Sequence, residues 1–84
     1  MPDRTLKLRD LRAILKRYGC WEDPSRGKGS HTMFFRLIPA TGAVMPFPLP
    51  TSRPDILRSY VRSCRKAFHL TAEDGVSDAE FYGD

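Results

Sequence analysis

The sequence predicts a small α+β domain in which a helix, three antiparallel strands and a second helix follow one another. Two amphipathic segments, one near each end of the chain, repeat their apolar residues at helical spacing. Between them, apolar stretches are separated by glycine- and proline-rich segments, which is typical of short strands and turns. We expect both helices to pack on one face of the sheet and the other face to stay uncovered.

Both helices have recognisable ends. The first is predicted over about residues 8–18, with Gly19 at a left-handed C-cap position. The second is predicted to begin at Ser52-Arg53-Pro54-Asp55, where Ser52 can cap the helix and Asp55 stands as in a capping box. Its apolar stripe is predicted to consist of Leu57, Tyr60, Val61, Cys64 and Phe68, while Arg58, Arg62, Arg65 and Lys66 stay exposed to solvent.

Three strands are predicted between the helices, over residues 20–23, 30–37 and 43–47. Proline cannot donate a hydrogen bond to a neighbouring strand, so Pro46 and Pro48 predict that the third strand lies at an edge or ends early. Trp21 on the first strand is expected to be partly buried, with stacking on a nucleobase as the alternative.

Alternation along the second predicted strand separates two sets of side chains. If Phe34 enters the core, then His31, Met33 and Phe35 lie together on the open face. Large apolar side chains exposed on a small domain usually indicate a binding partner.

Charge is distributed unevenly along the chain. All 14 lysines and arginines lie within residues 4–66, so residues 1–70 carry a net charge of +9 and residues 71–84 carry −5. A basic body favours a polyanionic partner, and nucleic acid is the first expectation. We therefore predict an RNA-binding domain over residues 1–70 and a mobile acidic tail over residues 71–84, which could compete with RNA for the basic surface.

The segment Gly27-Lys28-Gly29-Ser30-His31 combines a phosphate-binding turn with a base. Glycine-rich turns expose backbone N–H groups and a lysine adds positive charge, so Lys28, Gly29 and Ser30 are predicted to contact phosphate. Histidine is the side chain best suited to proton transfer near neutral pH, so His31 is the candidate catalytic residue. Four further basic residues are predicted to contact the RNA backbone: Arg12, Lys16, Arg26 and Arg36.

Other chemistries receive little support from the sequence. Cys20 and Cys64 are far apart in sequence and, even with both histidines, have unusual spacings for a zinc site, so we expect no metal and no cofactor. The charged N-terminal region does not resemble a secretion signal, and no apolar run reaches membrane-spanning length. A cytoplasmic protein with reduced thiols and no membrane association is expected.

The chain resembles the HicA family, the ribonuclease toxins of bacterial HicA–HicB toxin–antitoxin pairs. The resemblance covers about residues 6–70 and is most specific at Lys28-Gly29-Ser30-His31, with a helix before this segment and Val44-Met45-Pro46 and a helix after it. It implies a fold similar to a double-stranded-RNA-binding domain, metal-independent cleavage of messenger RNA by His31, and a HicB-like antitoxin partner. The antitoxin is expected to cover His31, Met33 and Phe35. The chain departs from the family at Pro48, where a second histidine is common.

Two functional hypotheses follow from the sequence. The first is a metal-independent endoribonuclease toxin that uses a single histidine. The second is a non-catalytic RNA-binding or partner-docking module on the same fold. Both require the basic surface, and only the first requires His31.

Overall fold

The computed structural model describes residues 3–24 and 29–84 and shows an α+β fold. The strands β2, β3 and β4 form an antiparallel sheet in that order, which confirms the predicted three-stranded sheet. No helix in the described ranges is long and apolar enough to cross a membrane. The elements are β1 (Leu6–Lys7), α1 (Leu8–Arg17), β2 (Trp21–Asp23), β3 (His31–Leu37), β4 (Val44–Pro50), β5 (Asp55–Ile56), α2 (Arg58–Ala67) and α3 (Asp78–Tyr82).

One core joins the two long helices to a single face of the sheet. Phe34 of β3 and Leu49 of β4 are almost completely buried and belong to the same cluster as Leu11 of α1. Phe68, at the C-terminal end of α2, packs edge-to-face against Phe47 of β4 with ring centroids 6.2 Å apart. Because side chains alternate along a strand, burial of Phe34 directs His31, Met33 and Phe35 to the opposite face.

A two-stranded sheet, absent from the sequence prediction, joins the beginnings of the two helices. Leu6 of β1 pairs with Ile56 of β5, and Lys7 pairs with Asp55 through both backbone register and a 3.2 Å ion pair. Asp55 is therefore in a strand, and the predicted helix start at Ser52–Asp55 is wrong, since α2 begins at Arg58. Burial of Ile56 and pairing with a distant strand outweigh the local capping signal.

The strand β4 is an edge strand, as its prolines predict, and it continues through Pro50. Two hydrogen bonds define the register, one from Ile38 N–H to the Ala43 carbonyl and one from Thr51 N–H to the Ser30 carbonyl. They show that the backbone N–H and C=O groups of the odd-numbered residues of β4 point toward β3. The three prolines at positions 46, 48 and 50 therefore have their backbone nitrogens at the free edge. A proline nitrogen carries no hydrogen, so this edge has almost no donors to offer another strand.

Arg65 of α2 is buried, in contrast to its predicted exposure. Its guanidinium donates to the carbonyl of Leu70 at 2.9 Å and to the carboxylates of Asp3 at 2.8 Å and Asp78 at 2.7 Å. It also lies 4.5 Å from the centroid of the Phe81 ring. The carboxylates and carbonyls compensate for the loss of hydration of the charge, which is why an arginine can occupy this position.

Residues 71–84, predicted to be a mobile tail, instead pack against the core. A 3₁₀ turn (Ala72–Asp74) with a capping box at Thr71 leads to α3, and Ser77 accepts a hydrogen bond from the backbone of Glu80. Phe81 is completely buried and stacks on Tyr18 at 6.2 Å. Phe81 and Tyr82 both lie on the helical side of the sheet, away from its open face.

Candidate functional site

The face of the three-stranded sheet that points away from the helices is an exposed apolar surface, which we call the open face. Its exposed members include Trp21, Leu37 and Val44, which are 46%, 52% and 51% exposed. Prolines of β4 lie opposite the apolar residues of β3, with Pro46 across from Phe35 and Pro48 across from Met33. The open face consists of Trp21, Asp23, His31, Met33, Phe35, Leu37, Val44, Pro46, Pro48 and Pro50.

His31 begins β3 at one end of the open face and is partly exposed. The Oγ of Ser30 lies 3.3 Å from its Nδ1. The backbone of Ser30 is held in turn, because its carbonyl accepts a hydrogen bond of 2.7 Å from the Thr51 amide. Ser30 is thus held by the residue that follows β4, and its hydroxyl contacts Nδ1 of the imidazole. The other ring nitrogen, Nε2, is not part of this contact.

Residues below His31 hold the two strand ends together. The hydroxyls of Thr32 and Thr51 are hydrogen-bonded at 2.8 Å, and Thr32 is buried. Pro50 lies directly across from His31 and also borders a surface depression of about 490 Å³ that Arg53 and Tyr60 line. Sequence reasoning did not single out Arg53, which shares this depression with Pro50, whereas His31 does not line it.

The predicted phosphate-binding turn is described in part. Gly29 and Ser30 are exposed and directly precede His31, and Gly29 has a positive φ of 56° that favours glycine. Arg26 and Lys28 lie outside the described residues. The described half of the turn is therefore at the same end of the open face as the imidazole.

The structure places the partly exposed side chain of Arg36 on the helical side of the sheet, away from the open face. Its Nη1 donates to the carbonyl of Phe68 at 2.7 Å, and its Nε donates to the carbonyl of Tyr18 at 3.2 Å. These carbonyls are at the C-terminal ends of the two helices, where a positive charge is favourable. Arg36 has the same strand parity as Phe34, so its side chain turns to the helical side. The guanidinium thus holds the two helix ends, and the contact of Arg36 with RNA stays a prediction.

Arg12 and Lys16 are exposed on α1, beside the edge of the sheet and apart from His31. The guanidinium of Arg12 makes a two-pronged ion pair with Glu22 of β2, with bonds of 2.9 and 3.0 Å. Both basic residues line a depression of about 400 Å³ together with Trp21. Positive charge therefore adjoins the open face along β2.

The side chain of Trp21 is exposed, whereas the sequence predicted a partly buried core residue. Its ring stacks on Phe35, with centroids 5.8 Å apart and planes inclined by 22°. The register that pairs Trp21 with Phe35 creates this contact. The resulting aromatic pair belongs to the open face, and the single tryptophan was the available sequence signal for it.

The chemistry of the other candidate groups is limited. Among the residues that the structure describes, no three histidine, cysteine, aspartate or glutamate side chains cluster as a metal site would require. Burial raises the pKa of the Cys20 thiol to about 11 and raises the pKa of Cys64 even more. Neither cysteine is thus ionised near neutral pH, and neither is a good nucleophile.

Comparison of the chain with protein-family models, with curated proteins and with solved structures finds no match.

Proposed function

We propose that this protein is the toxin of a type II toxin–antitoxin pair, an endoribonuclease in which His31 is the general base. The observation that carries the proposal is the position of His31, partly exposed beside a glycine–serine turn at one end of the largely apolar open face. The resemblance to HicA toxins supports the same assignment and favours messenger RNA as the substrate. The helix–sheet–helix order is also that of a double-stranded-RNA-binding domain.

Cleavage would use the 2′-hydroxyl of RNA as the nucleophile. With Nδ1–H donating to Ser30 Oγ, the lone pair of His31 Nε2 accepts the 2′-hydroxyl proton as the oxygen attacks phosphorus. The bond from phosphorus to the 5′ oxygen breaks, giving a 2′,3′-cyclic phosphate. The departing oxygen takes a proton from water or from the imidazolium, and the amides of Gly29 and Ser30 stabilise the charge on the phosphoryl group.

An antitoxin of the HicB type is the proposed protein partner. A protein that covers His31, Met33 and Phe35 would bury apolar surface that this small domain leaves in water. The same contact would deny RNA access to the imidazole. A HicA-type toxin acts on cytoplasmic messenger RNA, so this function also places the protein in the cytoplasm.

The alternative function is a non-catalytic RNA-binding or docking module. The net charge of +9 on residues 1–70 supports RNA binding whether or not His31 reacts. Only a test of His31 chemistry separates the two functions.

Replacement of His31 by alanine is expected to abolish RNA cleavage and growth inhibition while the fold and RNA affinity stay nearly unchanged. His31 is partly exposed and contributes little to the core, so its loss should remove the base alone. Cleavage would be measured in EDTA, with thermal unfolding as the check on folding. The control is His69→Asn, which alters the second histidine and tolerates its positive φ of 56°.

Cleavage by His31→Ala at the wild-type rate would remove the catalytic assignment of His31, and absence of cleavage by the wild-type protein would favour the non-catalytic module. Equal loss of activity in His69→Asn would show that the effect is not specific to the open face.

A further inference from the structure

The aromatic pair on the open face has a defined position relative to His31. Phe35 lies four residues beyond His31 on the same face of β3, so the two positions are about 13 Å apart along the strand. Trp21 extends the Phe35 ring sideways toward the outer edge of β2. A few nucleotides of unpaired RNA can cover this distance.

We propose that Trp21 and Phe35 form a stacking subsite for an unpaired nucleobase of the RNA whose phosphate His31 addresses. The inference rests on the proposed function in taking RNA as the ligand, and it assigns single-stranded RNA as the substrate class. Aromatic rings on an uncovered sheet bind bases by stacking, which requires bases that are free of pairing.

Charge near the pair favours RNA over an apolar protein segment as the occupant. Trp21 lines one depression with Arg12 and Lys16, and Lys16 is exposed on α1. The charge of Arg12 is balanced by Glu22, which lines the same depression, so a nucleotide whose base stacks on Trp21 can direct its phosphate toward Lys16. The apolar and cationic parts of this region match the two parts of a nucleotide.

The edges of the sheet support binding across the face. The prolines of β4 remove donors from one edge, so an added strand is not favoured there. β2 has only three residues and offers the other edge little length. A ligand that uses the open face must therefore bind mainly through side chains, as a stacked nucleotide does.

Trp21 is the only tryptophan, so its fluorescence reports this subsite directly. The probe is a short single-stranded 2′-O-methyl RNA, which cannot be cleaved because its 2′ oxygen is blocked. We expect saturable quenching by the single strand and much weaker quenching by a duplex of the same sequence. Trp21→Ala should weaken binding of the single strand roughly five- to a hundredfold, measured by anisotropy of labelled RNA.

Two further variants act as controls. Trp21→Phe should retain more affinity than Trp21→Ala, because a smaller ring still stacks. Leu57→Ala removes an exposed apolar side chain that lies outside the open face and should bind RNA like the wild type.

Three outcomes would overturn the subsite: unchanged tryptophan fluorescence when labelled RNA is bound, equal affinity of Trp21→Ala and wild type, or stronger quenching by the duplex. Loss of a protein partner by Trp21→Ala with unchanged RNA binding would assign the pair to a protein interface instead. Because the probe is not cleaved, these results are independent of the His31→Ala assay. If cleavage depends on His31 but no stacking on Trp21 is seen, the proposed function stands and the subsite is overturned. If stacking is seen but cleavage does not depend on His31, only the catalytic role of His31 is overturned.

Discussion

At the scale of single residues, alternation along β3 decides which side chains lie on the open face and which lie against the helices. His31 and Arg36 both belong to β3 but lie on opposite faces of it. His31 lies on the open face with Met33, and Arg36 lies on the helical side with Phe34. Arg36 consequently binds helix carbonyls, whereas His31 stays accessible. The charge of a side chain therefore does not by itself predict whether it is available to a ligand, because its face of the sheet decides which groups it meets.

Substitution of Pro48 tests whether a second histidine on the open face would accelerate the proposed cleavage. Pro48 lies on the open face diagonally across from His31, a separation of about 7–8 Å. Pro48→His would add a second imidazole able to protonate the departing 5′ oxygen, and we expect cleavage to accelerate about 100-fold or more. The measurement is the single-turnover cleavage rate as a function of pH, with a bell-shaped profile expected.

The control for this change is Pro48→Val, which removes the proline ring without adding an acid. If the histidine and valine variants cleave at the same rate, residue 48 does not reach the reacting phosphate.

At the scale of elements, β4 shows how a proline-rich segment can serve as a strand. Its prolines occupy only alternate positions, so every residue that must donate to β3 retains its N–H group. The residues between the prolines bond to β3, and the three prolines leave the outer edge of β4 with few donors. This explains why proline did not shorten the strand.

Opening the edge is expected to cause self-association. Pro46→Val and Pro48→Val together would restore two outward N–H groups on an exposed strand, and a second copy could pair with it. Analytical ultracentrifugation should show a concentration-dependent dimer that the wild type lacks. A loop substitution, Pro39→Ala, is the control, and a double variant that stays as monomeric as this control would contradict protection by the prolines.

At the scale of the whole molecule, the C-terminal segment completes the core. Arg65 connects α2 to Asp3 at one end of the described chain and to Asp78 near the other, and the Arg65 hydrogen bond lowers the pKa of Asp78. Phe81 fills the space beside Tyr18. Residues 71–84 thus contribute to folding, and their acidic charge is partly used in internal ion pairs.

Phe81→Ala is expected to destabilise the protein by about 3–5 kcal/mol, because it removes a fully buried ring. A domain of 84 residues has a total stability of roughly 4–13 kcal/mol, so the substitution would remove a large share of it. The measurement is the free energy of unfolding from a urea titration.

The neighbouring exposed substitution Ala79→Ser is the control and should change stability by no more than about 0.5 kcal/mol. An unchanged free energy for Phe81→Ala would restore the mobile tail that the acidic composition of this segment predicted.

The sequence by itself determined the elements whose evidence is local and periodic. The spacing of Leu8, Leu11 and Leu15 predicts α1, and alternation around Phe34 predicts both the sheet and the face that carries His31. Each of these signals repeats apolar residues over several positions, and the folded chain buries the apolar face that the repeat marks.

Only the tertiary structure decided the features that join distant parts of the chain. The pairing of Leu6 with Ile56 displaced the helix start, the carboxylates of Asp3 and Asp78 drew Arg65 into the interior, and a pocket beside Tyr18 accepted Phe81. A capping signal, a basic helical face and an acidic segment each have a preferred exposed state when taken alone. Burial with a satisfied partner lowers the free energy more than these local preferences do, and the partner is known only once the chain is folded.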